Sequence, residues 1–341
     1  MNLPRGGNQA VRALTRLRNW WGNSMKVELA QLLETLSDRV QTKFEVQPQV
    51  TLKDGSFDVD ALPVDAPHWH RLSDVVAVVF DLKSSTNLEK GRSPRSTASI
   101  YDAGVVGAVR ILDKLGADFV DIQGDGGFGL FWGERRYERA VCAAITIRTF
   151  SADFTRQLKA KWKDAPTTGF KIGVASGPVL AKVLGLPRMK NLQEPVWAGR
   201  PVNYAAKAAQ QTDPEHILVT ASVWDQVENN DYLAFSCGCS DGQAVGASPS
   251  LLWTSYDLEK IPDDQRYGQS LKSEWCKLHG PDFLNAVLRG DTQREDITVE
   301  ARSQRTLLGS ATTERIDARK VREHQRQVLL EEVRLAQRGQ G

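Results

Sequence analysis

The stretch Phe119-Val-Asp-Ile-Gln-Gly-Asp-Gly-Gly-Phe-Gly-Leu-Phe131 decides the fold once it is set beside Val75-Val-Ala-Val-Val-Phe-Asp-Leu-Lys-Ser-Ser-Thr86. Phe119 to Gln123 alternates in the period of a half-buried strand. Gly124-Asp125-Gly126 then supplies a tight turn into a second apolar strand over residues 128–132. Residues 75–80 are a continuous, mostly β-branched apolar run, as a buried strand requires. The run stops at Asp81, ahead of Ser84, Ser85 and Thr86, which can cap a following helix. Two carboxylates, Asp81 and Asp125, therefore stand where apolar strands stop. Either alone has a structural use, since Asp-Gly makes turns and Asp before Ser or Thr starts helices. On strands lying side by side they become a pair of hard donors which, with nearby backbone oxygens such as that of Leu82, suits Mg²⁺ or Mn²⁺.

Outward from this pair the alternation continues as strand, helix, strand-turn-strand, helix, strand. Helices are predicted over residues 94–115, carrying Ile100, Val105, Val109 and Leu112, and over 134–158; strands follow at 171–175 and 217–220. The order β-α-β-β-α-β is the ferredoxin-like α+β pattern, an antiparallel-containing sheet with helices on one face. It occupies residues 72–258. Residues 1–71 form an N-terminal extension, a helix over 27–46 with Leu29, Leu32, Leu33, Leu36 and Val40 on one side, followed by a Pro/Gly/Asp-rich connector. Residues 259–341 form a charged C-terminal extension. Within it, a helix over 316–336 with a thin apolar stripe at Val321, Val328 and Leu335 reads as a solvated tail helix, with a dimer contact or intersubunit brace as the alternative.

Composition sets a consistent frame. With 341 residues, 41% hydrophobic and 25% charged, the chain has ordinary soluble globular content and can bury one large or two modest cores. A net charge of +2 marks neither a nucleic-acid binder nor an acidic tail protein. Its 4 cysteines are too few for a disulfide scaffold. Cys237-Gly-Cys239 is the close pair; it lacks a second ligand pair at zinc spacing and reads as reduced structural thiols in a cytosolic setting. No apolar run approaches the roughly 20 residues a membrane helix needs, so no transmembrane segment is expected. Arg5, Arg12, Arg16 and Arg18 ahead of Trp20-Trp21 read as a solvated or partner-contacting basic helix, with a membrane-surface or targeting segment as the alternative. His68-Trp-His70 in the connector reads as incidental.

One further segment completes the pattern. Trp197-Ala-Gly-Arg-Pro-Val-Asn-Tyr-Ala-Ala-Lys207 sets Gly199 before a helix and places Asn203 and Lys207 on one helical face, where an amide and a cation can hold a sugar and a phosphate. Before it, Lys171-Ile-Gly-Val-Ala-Ser-Gly-Pro-Val179 is a strand closed by glycine, fitting a core strand packed near a ligand. In order and spacing, the Phe80-Asp81 strand end, the Gly124-Asp125-Gly126 hairpin, the Ile172-Gly-Val-Ala-Ser-Gly177 strand and the helix bearing Asn203, Ala205, Ala206 and Lys207 resemble class III nucleotidyl cyclase catalytic domains. The resemblance implies a homodimer with composite active sites and a nucleoside triphosphate substrate. Asp81, Asp125 and the Leu82 backbone would hold two divalent ions, Mn²⁺ or Mg²⁺, in one protomer. From the other, Asn203 would orient the ribose and Lys207 would neutralise phosphate charge. Backbone N–H groups at Ser84, Ser85 and Thr86 would take phosphate oxygens.

The departures from the family set the substrate. Purine cyclases carry Lys or Glu four residues before the hairpin's metal-binding Asp, and this chain has Asp121 there. Their second base-reading position, seven before the Asn, is commonly Asp, Thr or Cys; here it is Val196, beside Trp197. The Arg usually four after the Asn is replaced by Lys207, which keeps the charge and loses the bidentate fork. Strand alternation puts Asp121 and Gln123 on the face opposite Val120 and Ile122, so Asp121 can accept from uracil N3–H or the cytosine amine. The pattern is most similar to the pyrimidine cyclases of Pycsar antiphage systems. It implies conversion of UTP to 3′,5′-cyclic UMP and pyrophosphate in the cytoplasm, as a signal read by a separate effector. The alternatives are a cytidylate cyclase, a purine cyclase with a divergent pocket, and a catalytically inactive nucleotide-binding regulatory domain. A diguanylate cyclase is set aside because the chain lacks a Gly-Gly-Asp/Glu-Glu-Phe run.

Overall fold

A computed structural model describes residues 27–53, 57–62, 68–186, 188–240, 243–244, 246–262 and 264–338; the basic stretch from Arg5 to Trp21 lies outside them. The chain divides into two units that meet at Gln49/Val50. In the first, the amphipathic pattern forms helix α1 (Leu29–Glu45), whose Leu29, Leu32, Leu33, Leu36 and Val40 are all exposed.

The second unit is built on a mixed sheet. In chain order its elements are β1 (Gln49–Lys53, beginning at the boundary), β2 (His68–Leu82), α2 (Ser85–Leu88), α3 (Pro94–Lys114), β3 (Phe119–Gln123), β4 (Gly126–Phe131), α4 (Arg136–Lys161), β5 (Phe170–Gly185), β6 (Gln193–Gly199), α5 (Arg200–Gln210), β7 (Ile217–Val219), α6 (Ala221–Val227), α7 (Asp231–Ala234), β8 (Cys239–Ser240), β9 (Gln243–Ala244), β10 (Trp253–Asp257), β11 (Tyr267–Leu271), α8 (Gly280–Arg289), α9 (Val299–Ser310) and α10 (Thr313–Arg338). The main sheet runs β10-β11-β7-β5-β2-β4-β3. Its centre, β5-β2-β4-β3, is fully antiparallel, as the β-α-β-β-α-β pattern predicts, and β7 adds to β5 in parallel.

Alternation along β2 sorts the core into two layers. Val76, Val78, Phe80 and Leu82 pack with Ile100, Val105 and Leu112 of α3 and with Val141, Ile145 and Ile147 of α4. Val75 and Ala77 face the other way, among Leu130, Trp132, Ala175, Val179 and Trp197. Ala205 of α5 lies in this second layer, with Val202 and Tyr204 packed against it, so the helices are not confined to one face. The close approach needs Gly173: a Cβ there would stand 2.0 Å from the Ala205 carbonyl oxygen and 2.5 Å from the Ala209 nitrogen. The alanines of α5 meet that glycine strand because neither side projects a bulky side chain.

β2 and β5 are longer than the apolar runs that announced them, 15 and 16 residues. β2 continues across a register shift between Leu72 and Val75, and the outer half of β5 pairs with β6, where polar residues break the apolar pattern. The sheet also continues past Leu258, because β11 pairs with both β10 and β7. The last helix is not a solvated tail. Arg322 of α10 is buried and binds Asp225 of α6 at 2.7 Å and the Asp264 carbonyl at 2.6 Å, and Arg319 binds Glu228 at 2.5 Å. The thin apolar stripe hid this docking, since its charged face makes the contacts. Among the described residues no helix is long and apolar enough to cross a membrane.

Candidate active site

Asp81 is the last-but-one residue of β2 and sits in register with Gly126 of β4 on one side and Lys171 of β5 on the other. By alternation with Ala77 and Val79 it points to the face that α5 covers. Asp125 arrives beside it through the two-residue loop between Gln123 and Gly126. Gly124 takes φ +65° at the first loop position, where a tight hairpin favours glycine. Gly126 is required by contact, since a Cβ would fall 2.4 Å from the Phe80 carbonyl oxygen and 3.1 Å from the Asp81 Cα. This absence of a side chain lets the hairpin tip close on the end of β2.

Burial, and then the Asp125 charge, raise the Asp81 carboxyl above its ordinary value, and Lys171 only partly offsets them. Two partly buried like charges with hard oxygen donors form a set that fits a divalent cation, whose charge relieves their repulsion. Leu82 follows directly, buried, in register with Phe170 of β5. Ser84 takes left-handed backbone angles, φ 59° and ψ 28°, and opens the single turn of α2 that contains Ser85 and Thr86. Ser84 and Ser85 are half-buried and Thr86 is exposed.

Asp121 lies on β3 in register with Phe128, on the side of the sheet that carries Phe119, and accepts a 3.0 Å hydrogen bond from Gln123 Nε2. It therefore shares a face with Asp81. Trp197 of β6 is largely buried, its ring 4.9 Å from Phe119 and 5.6 Å from Trp132. Val196 beside it is half-buried and in register with Lys182. On α5, Asn203 is exposed and its Nδ2 donates to the Gly199 carbonyl at 3.0 Å. Lys207, one turn on, holds its ammonium 5.6 Å over the Tyr204 ring.

The fold thus brings Asp81 to Asp125 and Asp121 to Gln123, and it aligns Asn203 with Lys207. Among the described residues, no hydrogen bond or ion pair joins the aspartate group to Asn203 or Lys207 within the chain. One basic residue beside Asp81 escaped sequence reasoning, Lys171. Only the antiparallel register could have found Lys171. A cavity of about 540 Å³ lies elsewhere, lined by Asp74, Arg136, Tyr137 and the α10 residues Arg319, Arg322 and Arg326.

Residues 70–243 match the adenylate and guanylate cyclase catalytic domain. The chain is similar to a uridylate cyclase from Micromonospora echinofusca, 48% identical over 281 residues that cover 82% of this chain and 90% of that protein. It is likewise similar to a uridylate cyclase from Propioniciclava tarda, 46% identical over 270 residues, 78% of this chain and 86% of that one. The adenylyl cyclase CyaB from P. aeruginosa aligns at 15% identity and a TM-score of 0.47 over 61% of this chain and 98% of its own. The chain belongs to the adenylate and guanylate cyclase catalytic domain family, the class III nucleotidyl cyclases.

Proposed function

We propose that this chain is a uridylate cyclase, converting UTP to 3′,5′-cyclic UMP and pyrophosphate. The observation that carries the choice of base is Asp121, on the same sheet face as Asp81, where purine cyclases hold Lys or Glu. Its carboxylate accepts from uracil N3–H. Two relatives named uridylate cyclase, 48% and 46% identical to this chain, support the same choice.

In this reaction the ribose 3′-oxygen forms a bond to the α-phosphorus, the bond to the pyrophosphate oxygen breaks, and the 3′ proton passes to solvent water without a protein base. Asp81 and Asp125, with the Leu82 backbone, hold Mg²⁺ or Mn²⁺, which when bound lowers the pKa of the 3′-hydroxyl and offsets triphosphate charge. Backbone N–H groups at Ser84, Ser85 and Thr86 take phosphate oxygens. Asn203 and Lys207 of the partner subunit complete the site, the amide orienting the ribose and the ammonium balancing charge that builds on the phosphates. Val196 and Trp197 border the base. Such a division explains why the two residue groups are not joined within one chain, and it makes the homodimer the active form. The resemblance to Pycsar cyclases gives cyclic UMP the role of a cytoplasmic antiphage signal to a separate effector.

A carboxylate also accepts from the cytosine amine, so CTP is the second substrate to test. Incubation with all four nucleoside triphosphates and Mn²⁺, resolved by mass spectrometry, is expected to yield cyclic UMP. Discrimination against ATP and GTP should exceed ~10²-fold in kcat/KM, because a buried site that hydrogen-bonds one base edge leaves groups unpaired with the wrong one. Faster cyclisation of ATP or GTP removes the pyrimidine assignment.

A further inference from the structure

We propose that Cys237, Cys239, Cys276 and His279 form a structural zinc site. Their ligand atoms all lie within 4.8 Å of one another, and this is the one such His/Cys/Asp/Glu group among the described residues. The Cys239 sulfur is 3.4 Å and the Cys276 sulfur 3.9 Å from His279 Nδ1. A tetrahedral zinc with Zn–S of about 2.3 Å and Zn–N of about 2.0 Å separates its ligand atoms by roughly 3.5–3.8 Å, so the four side chains need only small adjustments to close on one ion. None of the three thiols is in a disulfide. Three soft sulfurs and an imidazole at one point select zinc over the hard ions that suit the aspartate pair.

The backbone is shaped for this arrangement. Cys237 and Cys239 flank Gly238, which takes φ +75°, and a Cβ there would lie 1.9 Å from the Ala247 carbonyl oxygen. Glycine alone allows the knuckle that turns both sulfurs to one side. On the other stretch of chain, the Gly280 amide donates to the Cys276 carbonyl at 2.7 Å, folding Cys276 and His279 into one turn. His279 caps α8. The ligands are therefore a Cys-x-Cys knuckle and a Cys-x-x-His turn far apart in sequence. The expectation that Cys237 and Cys239 lack a second ligand pair fails because their partners come from the α8 entrance and include a histidine.

An ion here would join the β8–β9 excursion to the segment between β11 and α8. That segment is already hooked to α4, since Trp275 donates from its backbone to Thr149 Oγ1 at 3.0 Å and from its indole to Thr146 Oγ1 at 2.9 Å. None of the four ligands shares an element with Asp81, Asp125, Asn203 or Lys207. All four ligand positions are filled from one chain, the closed form of a structural site.

The test is metal analysis of the full chain, purified under reducing conditions without chelator and dialysed against Mg²⁺. About one zinc per chain is expected. It should be released by a mercurial thiol reagent, lost in Cys276→Ser and Cys237→Ser, and kept in Cys142→Ala, which alters the cysteine outside the cluster. Should the ligand variants fail to fold, cobalt substitution of the native chain decides. Tetrahedral visible bands with sulfur-to-cobalt charge transfer support the site. A native chain that is zinc-free and takes up neither zinc nor cobalt when reduced, an octahedral cobalt spectrum, or a disulfide among Cys237, Cys239 and Cys276 in fresh protein overturns it.

Discussion

Asp81 pays for its position with a raised carboxyl, held up by burial and by Asp125. A raised carboxyl weakens the metal-free fold near neutrality, and the missing Cβ at Gly126 lets the hairpin tip close on the strand end beside it. Asp81→Ala and Asp125→Ala should each cut cyclase turnover by at least ~10³-fold, since a ligand to a charge-neutralising metal contributes several kcal/mol and ~1.36 kcal/mol is tenfold. The thermal midpoint of metal-free Asp81→Ala should equal or exceed that of the native chain, because a repelled, partly buried charge has been removed. Turnover near native in a folded variant would show that the carboxylates hold no essential metal. Lys207 in place of the usual Arg belongs to the same scale: its ammonium rests over Tyr204, and no carboxylate pairs with it among the described residues.

At the scale of elements, the C-terminal helices are fastened to the sheet domain by buried ion pairs. Asp231 of α7 is 1% exposed and accepts from Arg302 and Arg305 of α9, each at 2.7 Å, and from the Arg294 amide at 3.0 Å. Removing the carboxylate leaves those guanidinium groups uncompensated, so Asp231→Asn should lose at least ~3 kcal/mol in denaturant unfolding. Burial alone would push the Asp231 carboxyl up; Arg302, the Arg294 amide and Arg305 outweigh it and hold it below the usual carboxylate range. A depressed acid stabilises the fold fully above its unfolded pKa of about 3.9 and loses that contribution as pH falls through the folded value. The gap in thermal midpoint between native and Asp231→Asn should therefore be widest near neutrality and shrink in acid. A gap that stays constant to the acid limit would assign the effect to shape and not to charge.

For the whole molecule, the proposed homodimer places the aspartates of one protomer against Asn203 and Lys207 of the partner subunit. Asp81→Ala and Asn203→Ala should each be inactive alone. An exchanged equimolar mixture should recover about a quarter of native activity, since half the dimers are mixed and each mixed dimer keeps one of two composite sites. Continued inactivity in a mixture verified to contain heterodimers would place the whole site within one chain.

Much of this was legible along the chain. The period-2 strands, the Gly-Asp-Gly tip, the β-α-β-β-α-β order and the helical spacing of Asn203 and Lys207 are local properties, set by backbone sterics and side-chain alternation over a few residues. The polar outer halves of β2 and β5, the seating of α5 on the second face through Gly173, and the docking of α10 by arginines were not. Each depends on a partner distant in sequence, and a polar or glycine residue carries no sign of which distant group it will meet. The cysteines make the same point. Cys237-Gly-Cys239 was visible as a pair, but only the tertiary structure brought Cys276 and His279 within 4.8 Å of it, because ligands converge through the packing of α8 and β8 and not through spacing along the chain.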